Sequence, residues 1–168
     1  MADDSPPSQR ILLVTGLSGA GKSTALQVLE DLGWETIDNF PIRLLGGLVG
    51  GSDANTRLAI GFDSRTRGFV PQEIIALCKQ FEARDDIELT TVFIDCTSAE
   101  LERRYNETRR PHPMARGRTA LDGIKAEREL LDPLRRWSDT VIDTSDYAAN
   151  QLQQVVRERF AERMPNRG

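Results

Sequence analysis

The residues from Gly16 to Ser23 have the types and the spacing of a phosphate-binding loop. They read Gly-Leu-Ser-Gly-Ala-Gly-Lys-Ser and match the pattern G-x-x-x-x-G-K-[ST] at every position. Glycine in such a loop permits backbone conformations, and a close approach to an anion, that a Cβ atom would prevent. Successive N–H groups then form an anion nest, which the positive end of the following helix reinforces. We expect the segment to bind a purine nucleoside triphosphate, ATP or GTP.

The residues of this loop have distinct expected roles. Lys22 would bridge the β and γ phosphates and so take part in catalysis, and the Ser23 hydroxyl would ligate Mg²⁺. A glycine-rich turn without a ligand is the alternative, but the full match and the flanking strand and helix argue against it. The predicted nucleotide contacts are Gly16, Leu17, Ser18, Gly19, Ala20, Gly21, Lys22, Ser23 and Thr24.

Aspartates at the ends of predicted strands form a second group of candidates. Asp63 follows an apolar strand, where many P-loop proteins hold an acidic residue over Mg²⁺ or its waters, and we predict a catalytic and metal-binding role for it. Asp95 and Asp143 end apolar strands at the same edge of the sheet, where ligands of such sheets bind. Each aspartate could instead only cap a loop, a role for which Asp is well suited.

An arginine-rich segment over 109–118 is the third candidate. Its two prolines and one glycine indicate a loop. Such a loop could close on phosphates as a lid, with Arg109 and Arg110 as nucleotide contacts. It could equally contact RNA phosphates. Arg103 and Arg104 lie beside the loop, where a solvated helix end is the alternative.

The composition is that of a globular domain. The chain has 168 residues, of which 39% are apolar and 29% charged, and a net charge of −4, which gives no general reason to expect nucleic acid. No apolar run approaches the roughly 20 residues of a membrane span.

The acidic, proline-bearing N-terminus lacks the features of a signal peptide, so we predict a disordered lead-in over 1–9, a P-loop domain over 10–168 and a cytoplasmic location. Cys78 and Cys96 are predicted to be buried thiols, and His112, the only histidine, is given no catalytic role.

Short apolar runs alternate with helical patterns along the chain. Strands are predicted over 10–15, 34–38, 56–62, 89–95 and 139–143. Helices are predicted over 23–33, 42–49, 71–83 and 97–108, in a segment ending at Trp137, and around Leu152, Val155, Val156 and Phe160. This alternation predicts an α/β fold of the P-loop NTPase type, with a mostly parallel five-stranded sheet sandwiched by helices, as in nucleoside monophosphate kinases.

Several motifs carry a resemblance to a known family. Residues 11–41, which end in Thr-Ile-Asp-Asn-Phe-Pro, resemble the N-terminal half of the RapZ/YvcJ family of nucleotide-binding proteins. The family pattern continues in order through Phe62-Asp63-Ser64-Arg65, the stretch 104–113 with Glu-Thr-Arg-Arg-Pro-His-Pro, and the segments 131–134 and 141–145. The resemblance covers nearly the whole chain from Arg10.

The resemblance implies more than the residues alone. It implies a kinase-like P-loop domain that binds ATP and GTP with weak hydrolysis, and a separate C-terminal domain that is absent from this chain. It places Asp63, Ser64, Arg65 and Thr66 in a segment that contacts GTP. The best-known member is an RNase adapter in amino-sugar metabolism, so a small regulatory RNA and an endoribonuclease are the implied partners of the full-length protein.

Three hypotheses follow. The leading one is a nucleotide-sensing P-loop module with slow ATPase or GTPase activity, part of an RNA-regulatory adapter and compatible with an oligomer. The alternative is a small-molecule or nucleoside monophosphate kinase with an arginine-rich lid. A purely RNA-binding domain is the third, which the negative net charge disfavours. A phosphorylated acceptor would separate the first two.

Overall fold

The secondary structure alternates as predicted. The computed structural model describes residues 9–48, 56–66, 69–108 and 111–161. The strands are β1 (Gln9–Gly16), β2 (Glu35–Asp38), β3 (Thr56–Gly61), β4 (Ile87–Asp95) and β5 (Thr140–Asp143). The helices are α1 (Lys22–Asp31), α2 (Leu45–Leu48, after a 3-10 turn at Ile42–Leu44), α3 (Pro71–Glu82), α4 (Ser98–Thr108), α5 (Ala120–Trp137) and α6 (Ala149–Ala161). Val49, the last residue of one predicted helix, lies outside the described residues.

Local sequence signals explain where the helices begin. Pro71 occupies the first turn of α3, where its missing N–H is not needed. The side chain of Thr119 accepts a hydrogen bond from the backbone N–H of Asp122 over 3.2 Å at the start of α5. At the start of α4, Glu100 N–H donates to the Thr97 hydroxyl oxygen over 3.3 Å. Local residues thus mark the starts of α3, α4 and α5.

The five strands form one parallel sheet in the order β2-β3-β1-β4-β5, which confirms the predicted fold class. β1 lies at the centre and pairs with β4 along its full length, from Gln9 opposite Ile87 to Gly16 opposite Ile94. Because all strands are parallel, their carboxyl ends lie along a single edge. That edge carries the loops that form the candidate site.

The core covers both faces of the central strand. Ile11, Leu12, Leu13 and Val14 on β1 are all buried, as expected of a strand between two helical layers. Helix α1 packs against α6, whereas α5 packs against α3 and α4. The predicted burial of Cys78 and Cys96 as free thiols is confirmed. No helix in the described part of the chain is long and apolar enough to cross a membrane.

Candidate functional site

The turn between β1 and α1 forms the floor of the site. Two buried side chains, those of Leu17 and Ala20, fix this turn to the core. The N–H of Leu17 donates to the Ile94 carbonyl over 3.1 Å, and the N–H of Ala20 donates to the Leu17 carbonyl over 3.0 Å. Leu17 and Ala20 therefore anchor the loop through both their side chains and their N–H groups, and the nucleotide contacts predicted for them stay predictions.

Two glycines of this loop are required by its geometry. Gly21 has φ = +120°, and a Cβ atom there would lie 2.6 Å from Leu152 Cδ2. A Cβ atom at Gly16 would lie 2.3 Å from the carbonyl oxygen of Ile94. No side chain caps the start of α1, which directly follows Gly21. The free N–H groups of its first turn are therefore available to an anion.

Lys22 lies between two carboxylates from the ends of neighbouring strands. Its Nζ atom is 2.8 Å from Asp38 Oδ1 and 3.3 Å from Asp63 Oδ2. The Lys22 side chain is 11% exposed, so the ammonium group is held close to the loop it belongs to. Phosphate oxygens could replace the two carboxylates as partners of this amine, and the role predicted for Lys22 stays a prediction.

Asp63 is held as an ionised carboxylate. Its side chain is 3% exposed, and Arg65 Nη2 lies 3.0 Å from its Oδ2 atom. Burial alone would raise the pKa of the carboxyl, but hydrogen bonds from the side chain and backbone of Arg65 and the charge of Lys22 lower it below the usual 3.8. An ionised oxygen ligand at this place suits Mg²⁺.

The segment from Asp63 to Thr66 is a tight turn. Arg65 N–H donates to Asp63 Oδ1 over 2.8 Å, and Asp63 N–H donates to the Thr66 hydroxyl oxygen over 2.9 Å. The Thr66 hydroxyl in turn donates to Asn39 Oδ1 over 3.1 Å, which joins the turn to the end of β2. The predicted residues Ser64 and Arg65 are thus presented by a turn with a fixed shape.

Asp38 is a site residue that was not predicted. It ends β2 at the same edge as Asp63, and its side chain is 39% exposed. The argument that selected the aspartates after the other strands applies equally to this position. Together, Asp38 and Asp63 place two negative charges beside the only lysine of the loop.

Glu127 is the second residue that was missed. Its side chain is fully buried and accepts hydrogen bonds from Ser18 N–H (2.8 Å), the Ser18 hydroxyl (2.7 Å) and the Ser64 hydroxyl (2.9 Å). The Nε2 atom of His112 lies 3.2 Å from Glu127 Oε1. Burial would raise the pKa of Glu127, but these donors outweigh it and lower the pKa below the usual 4.5. A sequence signal existed, because position 127 falls on the buried stripe of α5 with Ile124, Leu131 and Leu134.

The arginines beside the loop are engaged in the structure. Arg104 Nη1 donates to the Gly19 carbonyl over 3.0 Å, and Arg104 Nη2 donates to the Thr144 carbonyl over 2.7 Å. Arg103 pairs with Glu100 and Glu107 on its own helix. Arg104 therefore braces the phosphate loop, and Arg103 lies on the solvated surface of the helix. The predicted contacts Arg109 and Arg110 lie outside the described residues.

The other two aspartates at this edge have structural partners. Asp95 pairs with Arg128 at 3.2 Å and with Arg135 at 2.8 Å. Asp143 accepts hydrogen bonds from the backbone and hydroxyl of Ser145, which lower its pKa below the usual 3.8. Neither residue lines the cavity above the loop. For Asp95 and Asp143 the structure therefore favours the capping alternative.

A cavity of about 520 Å³ opens above the loop, a size typical of small-molecule sites. Asp63 and Arg65 line one wall, and the residues of α4 and the following segment line the other. These are Arg104, Tyr105, Glu107, Thr108, Pro111 and Pro113. Within the described ranges no group of three His, Cys, Asp or Glu residues could hold a metal ion.

The parallel sheet and the loop at its carboxyl edge define the P-loop kinase class of folds. A shikimate kinase from Acinetobacter baumannii, solved with shikimate, superposes with a TM-score of 0.60 at 18% identity, over 92% of this chain and 95% of that one. A gluconokinase from Sinorhizobium meliloti 1021 gives a TM-score of 0.55 at 16% identity, over 94% and 97% of the two chains. At these identities the likeness concerns the fold alone.

The sequence then identifies the family within that class. Residues 9–164 match the RapZ-like N-terminal domain, and the chain belongs to this family, which confirms the resemblance. A "Nucleotide-binding protein" of Erythrobacter litoralis is 71% identical over 153 residues, which are 89% of this chain and 51% of that protein. One of Novosphingobium aromaticivorans is 58% identical over 166 residues, 95% of this chain and 54% of that protein. The chain spans about half the length of these curated relatives.

Proposed function

We propose that this domain binds ATP or GTP with Mg²⁺ in the cavity above the phosphate loop and hydrolyses the nucleotide slowly. The observation that carries the proposal is the position of Lys22, whose amine lies at the start of an uncapped helix between Asp38 and Asp63. An ammonium group and free N–H groups at one place are the two elements that hold a polyphosphate. The printed names of the relatives, "Nucleotide-binding protein", support the binding of a nucleotide.

Different residues of the chain would contact the phosphates and the metal ion. The N–H groups of Gly19 and of residues 21–24 would surround the phosphates, and Lys22 would leave Asp38 for the phosphate oxygens. The Ser23 hydroxyl and Asp63 would hold Mg²⁺, which when bound offsets the charge that develops on the transferred phosphoryl group.

Slow hydrolysis is consistent with the state of Asp63. Its carboxylate accepts hydrogen bonds from the backbone and side chain of Arg65 and would also hold Mg²⁺. Asp63 is therefore not an unengaged base that could take a proton from a water molecule, and such a base contributes typically 10²–10⁴-fold to rate. We therefore expect the domain to bind the nucleotide and to hydrolyse it only slowly.

For the full-length protein the family resemblance extends the proposal. We propose that in the full-length protein this domain is the nucleotide-binding half of a cytoplasmic RNase adapter, whose partners are a small regulatory RNA and an endoribonuclease. An oligomeric full-length protein is compatible with this role. The exposed Arg116 and Arg118 supply cations suited to RNA phosphates.

A small-molecule kinase is the second candidate. It is favoured by the part of the cavity that Arg65, Tyr105 and Pro113 line, because these residues lie outside the phosphate loop and could contact an acceptor. Labelled γ-phosphate separates the two candidates. Release of the label as inorganic phosphate from a tightly held nucleotide supports the first, transfer to a hydroxyl compound in a metabolite pool supports the second, and no measurable affinity for either nucleotide refutes both.

A further inference from the structure

Three segments of the site that are distant in sequence meet at one buried carboxylate. Ser18 belongs to the phosphate loop, Ser64 to the turn after β3, and His112 to the segment over 111–119 between α4 and α5. All three contact Glu127, whose side chain and that of His112 are fully buried. A buried carboxylate is stable only with hydrogen-bond donors around it, because the loss of each donor leaves part of the desolvation cost of the charge uncompensated. The positions of the three segments are therefore energetically linked.

The His112 ring contacts three other residues, namely Met114, Glu127 and Gly123. The N–H of Met114 donates to His112 Nδ1 over 3.0 Å, so the neutral ring carries its proton on Nε2, which faces Glu127. Nε2 has no aligned hydrogen bond, although Glu127 Oε1 is only 3.2 Å away. The opposite side of the ring lies against Gly123 of α5, where a Cβ atom would be 2.7 Å from Nδ1. Glycine inside a helix is unfavourable, and here it makes room for the imidazole.

We propose that Glu127 is a positioning residue through which occupation of the phosphate loop is transmitted to the 111–119 segment. The inference rests on the proposed binding of nucleotide at that loop. When phosphates order the backbone at Ser18, the carboxylate is fixed in place and His112 can complete its unaligned contact. The 111–119 segment then docks more firmly. By thermodynamic reciprocity, a docked segment raises nucleotide affinity by the same factor.

Direct contact is the competing explanation. Pro111 and Pro113 line the cavity, so a bound nucleotide could restrain the segment without Glu127. Two substitutions of His112 distinguish the cases. His112→Asn keeps an acceptor for Met114 N–H but removes the donor that faces Glu127. His112→Gln places an amide N–H close to the position of Nε2 and so restores that donor. Both variants lose the ring, so the loss of ring packing affects them alike, whereas only His112→Gln keeps a donor toward Glu127.

The experiment is hydrogen exchange of the 168-residue chain, with and without Mg²⁺ and ATP, combined with calorimetric measurement of the nucleotide Kd. The reporters are the amides of Ala115 and Arg118, which donate to the backbone carbonyls of His112 and Ala115 and so keep their acceptors in every variant. We expect nucleotide to slow their exchange about tenfold, or about 1.4 kcal/mol, in the unmodified chain and in His112→Gln. In His112→Asn the slowing is lost, and the Kd rises by the same factor.

Two further variants keep the test decisive if His112→Asn does not fold. Glu127→Gln retains the shape, since its amide oxygen can face Ser18 and His112 while its nitrogen donates to the serine hydroxyls. We expect its response to be weaker, because the bonds are no longer to a charge. Glu129→Gln, on the exposed side of α5, is the control and keeps the full response.

The outcomes are separable. If nucleotide binds and slows exchange equally in all variants, direct contact explains the effect and the coupling through Glu127 is refuted. If nucleotide binds the unmodified chain without changing exchange in the segment, the coupling is also refuted while the proposed function stands. If calorimetry detects no binding to the unmodified chain, both fail together.

Discussion

The amine of Lys22 donates a hydrogen bond to Asp38 Oδ1 over 2.8 Å, which ties the phosphate loop to the end of β2. This pair joins two segments that a polyphosphate would separate, because the amine is also the group expected to reach the β and γ phosphates. If the amine binds phosphates as proposed, Asp38 would compete with the ligand for it, and so would Asp63 from the end of β3.

Replacement of Lys22 by alanine should abolish binding of ATP and GTP while the fold is retained. The loop would keep its N–H groups but lose the one cation that contacts both terminal phosphates. Isothermal titration measures the affinity, and circular dichroism checks the fold. Lys125→Ala, on the exposed face of α5, is the matched control and should bind normally. Equal affinity of the two variants would exclude this cavity as the site.

Replacement of Asp38 by asparagine should strengthen binding of metal-free nucleotide by about fivefold. A hydrogen bond to a charged partner contributes about 1 kcal/mol more than a neutral one, and the substitution removes that advantage from the competitor of the phosphates. Titration with ATP in the presence of a chelator provides the measurement. Weaker binding in the variant would mean that Asp38 assists the ligand instead of competing with it.

Asp63→Asn should weaken nucleotide binding to an extent that depends on Mg²⁺. Because Asp63 is expected to hold Mg²⁺ or its waters, its loss should weaken binding of nucleotide with Mg²⁺ more than binding without it. Parallel titrations with and without Mg²⁺ give the two ratios. Asp143→Asn, away from the cavity, is the control. Equal losses in both conditions would assign Asp63 a structural role.

Gly16→Ala should lower the free energy of unfolding by about 1–3 kcal/mol, since its Cβ atom would lie 2.3 Å from the Ile94 carbonyl oxygen and the central strands would have to shift. Gly46→Ala, on α2 with no atom within 4 Å of the added carbon, should instead gain about 0.4–1 kcal/mol. Denaturant unfolding of the two variants compares them. A neutral effect at Gly16 would show that the loop has more room than its geometry implies.

Stability should depend on pH through Glu127. Its pKa is lowered below 4.5 in the folded protein, so its ionisation stabilises the fold above that pH. This stabilisation is lost as the pH falls through the lowered value. The difference in unfolding free energy between the unmodified chain and Glu127→Gln should therefore be largest near neutral pH and shrink in acid. Unfolding curves at about pH 7 and about pH 3.5, with Glu129→Gln as the control, measure it. A difference that does not change with pH would mean that Glu127 is not ionised in the fold.

Local patterns were sufficient to predict the sheet and the phosphate loop. The period of apolar residues changes between each strand and helix, and the glycine spacing of the loop is itself local. Asp38 was within reach of the same argument that selected Asp63, because both end parallel strands at one edge. It was overlooked although the sequence contains the information.

The remaining features depend on packing between distant segments. Asp95 ends a strand as Asp63 does, yet Arg128 and Arg135 of α5 neutralise it, and nothing in the sequence near Asp95 indicates those partners. The role of Glu127 likewise requires Ser18, Ser64 and His112 to meet in space. Sequence indicates only a charged residue on the buried stripe of a helix.

The central place of β1 in the sheet also shapes the order in which the chain can fold. Among the described strands β1 comes first, but its two neighbours begin only at Thr56 (β3) and Ile87 (β4). Pairing that closes such long loops is slow compared with helix formation, so during synthesis the apolar run over 11–14 has neither partner strand until β3 and β4 have been made. The strand that supports the phosphate loop therefore gains its last partner only when β4 is complete.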